Sequence, residues 1–213
     1  MLAVGGNTYR AANVGTVERT IAAAKEAGVG RVVFLSYVGA DARARNEYLR
    51  TKGEAEELLR SSGLDVVILR STFIVGPPED PGPSILPFRR ENGKPVSVIG
   101  SGTQRYQPVY VEDVARALLR ALDSGVEPAT YALAGPRVLT VDELVALVNG
   151  GAVKERHLAG LIARAAAAVA PSLTRAMVGV LSADSLPDTT LAWDALGLEP
   201  TPIEDAYPAG VKR

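Results

Sequence analysis

At 213 residues the chain is long enough for one large domain, or for one domain with a small appendage, and it can bury a substantial core. A formal net charge of -1 argues against nucleic acid as a partner. With no cysteine, disulfides and thiolate chemistry are excluded, and the single histidine, His157, leaves almost no route to a histidine-based metal site, so no metal is expected.

The chain opens on "MLAVGGN", which reads as the end of a strand already inside a sheet. It lacks the basic start and apolar middle of a signal peptide. "VGTVERTIAAAKEAG" then follows a helical pattern that closes at Gly28, and "RVVFLS" (Arg31–Ser36) reads as a strand. A second helical pattern, "EYLRTKGEAEELLRSSG", closes at Gly63 and leads into the strand "DVVILRSTFIV" (Asp65–Val75). Both strands are nearly continuous apolar runs, as parallel strands covered on both faces should be. Helix, strand, helix, strand with short links is the signature of a doubly wound α/β sheet.

The second half is less regular. "PPEDPGPS" (Pro77–Ser84) reads as a turn-rich loop, "KPVSVIG" and "YQPVYV" as short strands, "VEDVARALLRAL" as an amphipathic helix and "TYALAG" as another strand. Thr140, with Glu143 three residues on, predicts a capping box at the head of "LTVDELVALVN". From Ala152 to Val180 the chain is rich in Ala, Leu and Val and reads as helical, packing within its lobe in preference to lying on a membrane. Its longest apolar run, Leu158–Ala170, is broken by Arg164 and too short to span a bilayer, so no transmembrane segment is expected. The expected architecture is a Rossmann-like α/β domain: core βα units over residues 1–85, then interleaved core and a small mixed α/β substrate lobe over 86–213. A cytoplasmic protein acting on a small molecule is the expectation.

A dinucleotide-binding fold normally begins with a strand, a Gly-rich turn and a helix whose N-terminus holds the pyrophosphate. The nearest approach to that pattern is "GSGTQR" (Gly100–Arg105), which lacks the third glycine and runs on into "YQPVYV" instead of a helix. It reads as a tight turn. The phosphate loop is therefore missing from the expected domain, and cofactor binding by this chain is expected to be weak.

Tyr48 and Lys52 stand four residues apart in "NEYLRTKGEAE", about one helical turn, so both should project from one face. A strand, a serine, a short loop, Y-x-x-x-K on a helix and a strand ending in "LRSTFIVGP" together resemble a short-chain dehydrogenase/reductase. The resemblance is to the extended or atypical branch, which holds the sugar-nucleotide epimerases and the accessory subunit of respiratory complex I. "ANVGTVERTIAAAKEAGVGRVVFLS", "GTQRYQPVYVEDVARALLRAL" and "LGLEPTPIEDA" resemble further family segments, so the likeness covers nearly the whole chain.

The resemblance implies an NAD(P)-dependent oxidoreductase or epimerase, with NAD or NADP as cofactor, or else a non-catalytic assembly protein or an inactive fragment. A homo-oligomer or a place in a respiratory complex are the implied partners. Tyr48 would be the acid/base. A phenol titrating near about 10 is a poor base at pH 7, and Lys52 would supply the positive charge that stabilises tyrosinate while holding the nicotinamide ribose. The family's proton-relaying serine normally follows a first serine, whereas here the pair is Ser36 and Tyr37. Ser36 either substitutes from one residue earlier or only bonds backbone at the strand end. Asn13 matches the asparagine of the family's tetrad, or else caps its helix. Ser71, Thr72 and Phe73 would approach the nicotinamide and Gly5 and Gly6 the adenosine side. Arg105 matches a position that contacts a substrate phosphate, or is simply a surface arginine.

Overall fold

The computed structural model describes residues 8–78, 88–90, 93–159 and 174–207. Alternation along one strand organises the core. In β2 (Asp65–Ser71), Val66, Val67, Ile68 and Leu69 are all buried, because successive side chains enter opposite layers. Val66 and Ile68 pack with Val17, Ala55 and Leu59 from helices α1 (Thr16–Glu26) and α2 (Glu47–Arg60). Val67 and Leu69 pack on the other side with Val114 and Ala117 of α3 (Val111–Arg120), and with Trp193 and Leu196. The expected helix-covered sheet is thus present. β2 is flanked in parallel by β1 (Arg31–Tyr37) and β7 (Thr130–Leu133), in the order β1-β2-β7. The β1–β2 register runs from Arg31 opposite Asp65 to Tyr37 opposite Ser71, so their carboxyl ends are level.

The predicted helix stops are sound. Gly28 and Gly63 adopt φ of 67° and 78° just beyond α1 and α2, a conformation that costs glycine nothing. The Thr140–Glu143 capping box is formed at the head of α4 (Val141–Val148).

Three readings need correction. The run Asp65–Val75 is not one strand. It breaks at Thr72, whose amide donates to the Leu133 carbonyl at 3.0 Å while its hydroxyl reaches the Gln107 carbonyl. Beyond the break, β3 (Ile74–Val75) pairs in parallel with β6 (Val109–Tyr110). "YQPVYV" likewise holds two short strands, because Pro108 has no N–H to continue a ladder. Ahead of it, β5 (Arg105–Tyr106) runs antiparallel to β8 (Leu139–Thr140); behind it lies β6. The stretch Ala152–Val180 is not continuously helical. β9 (Glu155–Leu158) pairs in parallel with β4 (Val96–Ile99), an inter-strand contact that overrides local propensity. Residues 160–173 lie outside the described residues, and α5 (Arg175–Leu181) follows, capped by Thr174. Short helices α6 (Trp193–Leu196) and α7 (Ile203–Ala206) complete the described chain.

Gly53, in the middle of α2, sets how closely that helix meets the loop after β1. A Cβ there would lie 2.2 Å from the Ala42 nitrogen and 2.3 Å from the Asp41 carbonyl carbon, both backbone atoms that cannot swing aside. Helix propensity alone favours Gly53→Ala by about 1 kcal/mol. Overpacking opposes it by about 1–3 kcal/mol or more. Net destabilisation is expected in urea unfolding, and a gain in stability would show that the loop yields freely.

Candidate functional site

The level carboxyl ends of β1 and β2 present Ser36, Tyr37 and Ser71 beside the first turns of α2. Asn46 starts that helix. Its side-chain oxygen accepts from the amides of Tyr48 and Leu49 at 3.0 and 3.3 Å, and its Nδ2 donates to the Ala176 carbonyl of α5 at 2.8 Å. One residue thereby fixes both the start of α2 and its seat against α5. An asparagine directly before a helical pattern is a readable N-cap signal, and it was the missed anchor of this site.

Tyr48 sits between two rings. Tyr9 meets it edge-on at 5.6 Å between centroids and Tyr37 at 5.7 Å. The ring contacts continue from Tyr37 to Phe73 at 6.4 Å, and Phe73 stacks on Tyr106 at 4.4 Å and 12°. Burial, with a smaller contribution from the neighbouring Tyr9, pushes the Tyr48 phenol up to about 12. Tyr37, whose hydroxyl bonds the Ser185 hydroxyl at 2.9 Å, is raised further for the same reason of burial. Lys52 donates from Nζ to the Leu35 carbonyl at 3.1 Å and lies 4.9 Å from the centroid of the Phe34 ring. Burial lowers its pKa, partly offset by Glu56.

These shifts predict alkaline sensitivity. A tyrosine raised in the folded state, from 10.0 to about 12 for Tyr48, leaves stability intact below pH 10. Stability is then lost as pH rises from 10 towards 12, where the unfolded chain ionises and the folded chain does not. Unfolding measured between pH 8 and 11, alongside tyrosinate absorbance, should show stability falling before the buried phenols ionise. Full phenol ionisation in the still-folded protein near pH 10 would contradict it.

The other expected site residues divide. Ser36 is only 3% exposed and its hydroxyl has no hydrogen-bond partner among the described residues, so it does not bond backbone at the strand end. Its carbonyl accepts from the Ser71 hydroxyl at 3.3 Å. Asn13 lies in a π-helical turn (Ala11–Gly15) ahead of α1 and donates to the Thr51 hydroxyl at 2.9 Å, beside Lys52, so its side chain braces α2 and does not cap α1. Thr72 and Phe73 follow at the strand end, with side chains committed to the Gln107 carbonyl and the Tyr106 ring. Arg105 stands apart in an ion pair with Asp184, through Nε at 3.0 Å and Nη2 at 2.7 Å. Gly5 and Gly6 lie outside the described residues.

The sequence profile of the NAD dependent epimerase/dehydratase family matches residues 4–134, and the chain belongs to that family. Among curated proteins it is similar to the mitochondrial NADH dehydrogenase [ubiquinone] 1 alpha subcomplex subunit 9 of Arabidopsis thaliana. The two are 33% identical over 144 residues, which is 66% of this chain and 36% of that protein. The mitochondrial NADH-ubiquinone oxidoreductase 40 kDa subunit of Neurospora crassa is 26% identical over 171 residues, 79% of this chain and 44% of that one. The chain therefore matches less than half the length of these relatives. Among solved structures, the fold resembles UDP-glucose 4-epimerase from Thermotoga maritima with UDP-glucose (TM-score 0.67, 23% identity, covering 93% of this chain and 67% of that one). It also resembles UDP-glucuronic acid 4-epimerase from Bacillus cereus with UDP-glucuronic acid and NAD (TM-score 0.65, 18% identity, 92% and 65%). The cytoplasmic location expected from the sequence does not stand, because the curated relatives are named as mitochondrial proteins. No helix among the described residues is long and apolar enough to cross a membrane.

Proposed function

We propose that the chain carries the nicotinamide-side site of an NAD-dependent oxidoreductase or epimerase that interconverts an alcohol and a carbonyl, with Tyr48 as acid/base. The observation that supports this most is the orphaned Ser36 hydroxyl, buried at the same strand end as Tyr48 and Lys52. A buried hydroxyl without a partner costs about 1–3 kcal/mol, and a substrate oxygen at this position would satisfy it. Lys52 has donors to spare. An ammonium carries three protons, and among the described residues only the Leu35 carbonyl accepts from it through a hydrogen bond, so ribose hydroxyls can take the rest. These groups fit the ribose end of NAD, which when bound supplies the hydride acceptor. Tyr48 then exchanges the hydroxyl proton, and Ser36 orients the reacting oxygen. Ser71, Thr72 and Phe73 form the wall at the end of β2, and Asn13 braces α2 through Thr51.

Calorimetric titration with NADH tests the reading. Weak but saturable binding that Lys52→Ala weakens further is the expected result, with Ser36→Ala leaving NADH affinity unchanged but slowing carbonyl reduction. NADH affinity equal in the parent and in Lys52→Ala would overturn it.

A second reading, a binding scaffold within a respiratory complex, is favoured by one specific observation. Lys52 hands its ammonium to the Leu35 carbonyl while the Tyr48 phenol is raised, the opposite of what an ionisable base near neutral pH requires. The curated relatives, named as subunits of NADH dehydrogenase and of NADH-ubiquinone oxidoreductase, agree with it. NADH binding with no turnover on any carbonyl of a broad panel would favour the scaffold.

A further inference from the structure

Away from the tyrosine–lysine site, β9 and α4 bring together three side chains that no function above uses. Glu155 and His157 are two residues apart on β9, so they point to one face, and Asp142 comes to meet them from the first turn of α4. One ligand atom from each lies within 4.8 Å of the other two. His157 Nε2 is 3.4 Å from a Glu155 oxygen and 3.8 Å from Asp142 Oδ1. These separations are long for hydrogen bonds. They are close to the roughly 3.4 Å that separates two ligands each about 2.1 Å from one tetrahedral ion.

Two further observations point inward. Asp142 Oδ1 is shielded from solvent, although the side chain as a whole is 43% exposed, and no donor reaches that oxygen among the described residues. A first-turn position favours a carboxylate electrostatically but does not account for an unpaired oxygen turned inward. The "GSGT" turn also closes over this carboxylate. Gly102, at φ 81°, packs so that any Cβ would fall 1.8 Å from Asp142 Oδ1, and its carbonyl accepts from the Asp142 amide at 3.1 Å. The glycine turn thus shapes the wall around an acidic oxygen. Among the described residues no lysine or arginine forms an ion pair with Asp142 or Glu155, so two adjacent carboxylates share only one imidazole.

We propose that Asp142, Glu155 and His157 form a site for a divalent transition-metal ion, of which Zn2+ is the best match. One imidazole and two carboxylates suit a borderline ion better than Mg2+, which prefers six oxygens and keeps its water. The single histidine that argued against a metal is sufficient because the carboxylates complete the set. The ion would join the β4–β9 pair to the head of α4, a structural cross-link with one position left for water.

The chain's one histidine makes the test direct. Tag-free, chelator-treated protein is titrated with Zn2+ by calorimetry while the imidazole resonances are followed by NMR. One-to-one binding is expected, with the imidazole signals moving in step with saturation and Mg2+ leaving them in place. His157→Ala and Glu155→Gln should each weaken Zn2+ binding by about 100-fold or more, because losing a ligand costs at least as much as losing a residue that merely orients one. The proposal is overturned if the imidazole signals do not move in the parent protein, if Mg2+ moves them equally, or if both variants bind Zn2+ as the parent does. The NMR result on the parent holds whether or not a variant folds.

Discussion

Replacing Tyr48 with phenylalanine is expected to lower turnover by about 100- to 10,000-fold, the usual loss when one general acid/base is removed. The fold should survive. Phenylalanine keeps the edge-on contacts to Tyr9 and Tyr37 and removes only the hydroxyl of a half-buried side chain. NADH affinity should change less than twofold, because the proton exchanged by Tyr48 belongs to the substrate. Lys52→Ala should behave differently. It removes the amine that would hold the ribose and stabilise tyrosinate, so kcat and cofactor affinity fall together. Steady-state kinetics of both variants across pH, on a panel of carbonyl substrates, separates the two roles. Parent-like turnover by Tyr48→Phe would remove the pair from the chemistry.

The largest expected loss of stability comes from Glu56, one turn beyond Lys52. It is fully buried, and its two oxygens accept from Arg70 at 3.0 and 2.7 Å and from Arg60 at 2.7 Å. Arg70 also donates to the Ala40 carbonyl and to Asp188, which in turn accepts from the Gly39 amide. Glu56→Ala leaves the mostly buried Arg70 without its main partner, and breaking such a pair costs about 3–5 kcal/mol. Arg60→Ala should cost far less, because Arg60 is half exposed and Arg70 still satisfies the carboxylate. Glu56→Gln, which keeps one acceptor, should fall between. Urea unfolding ranks the three, and an Arg60→Ala loss equal to that of Glu56→Ala would contradict this reading.

Glu56 also marks where the sequence stops being readable. In "GEAEELLRSSG" a glutamate four residues before an arginine reads as a solvent-facing helical pair. Its burial depends on Arg70, fourteen residues away on β2. The readable features were local. Glycines that end helices, the Thr140–Glu143 box and the four-residue spacing of Tyr48 and Lys52 all act within a turn or two, and all took their expected form. Features that failed needed distant partners. The run Asp65–Val75 divides because Leu133 and Gln107 capture Thr72, and β9 forms because β4 lies beside it. Around the candidate site, the order of the elements β1, α2 and β2 was legible from the motif. The aromatic surround was not, since Tyr37 is tied to Ser185 across 148 residues.

The ring series from Tyr9 through Tyr48 and Tyr37 to Phe73 and Tyr106 bears on the energetics of occupancy as well as on packing. An aromatic side chain has only two rotatable angles, and each of these rings is wedged against the next. Most of their rotamer freedom is therefore surrendered when the protein folds. A long, flexible side chain costs about 0.5–1.5 kcal/mol each time binding immobilises it, whereas a ring already fixed costs little more. A molecule entering beside Tyr48 meets a wall set in advance, so its affinity should depend on fit and desolvation and little on ordering the protein.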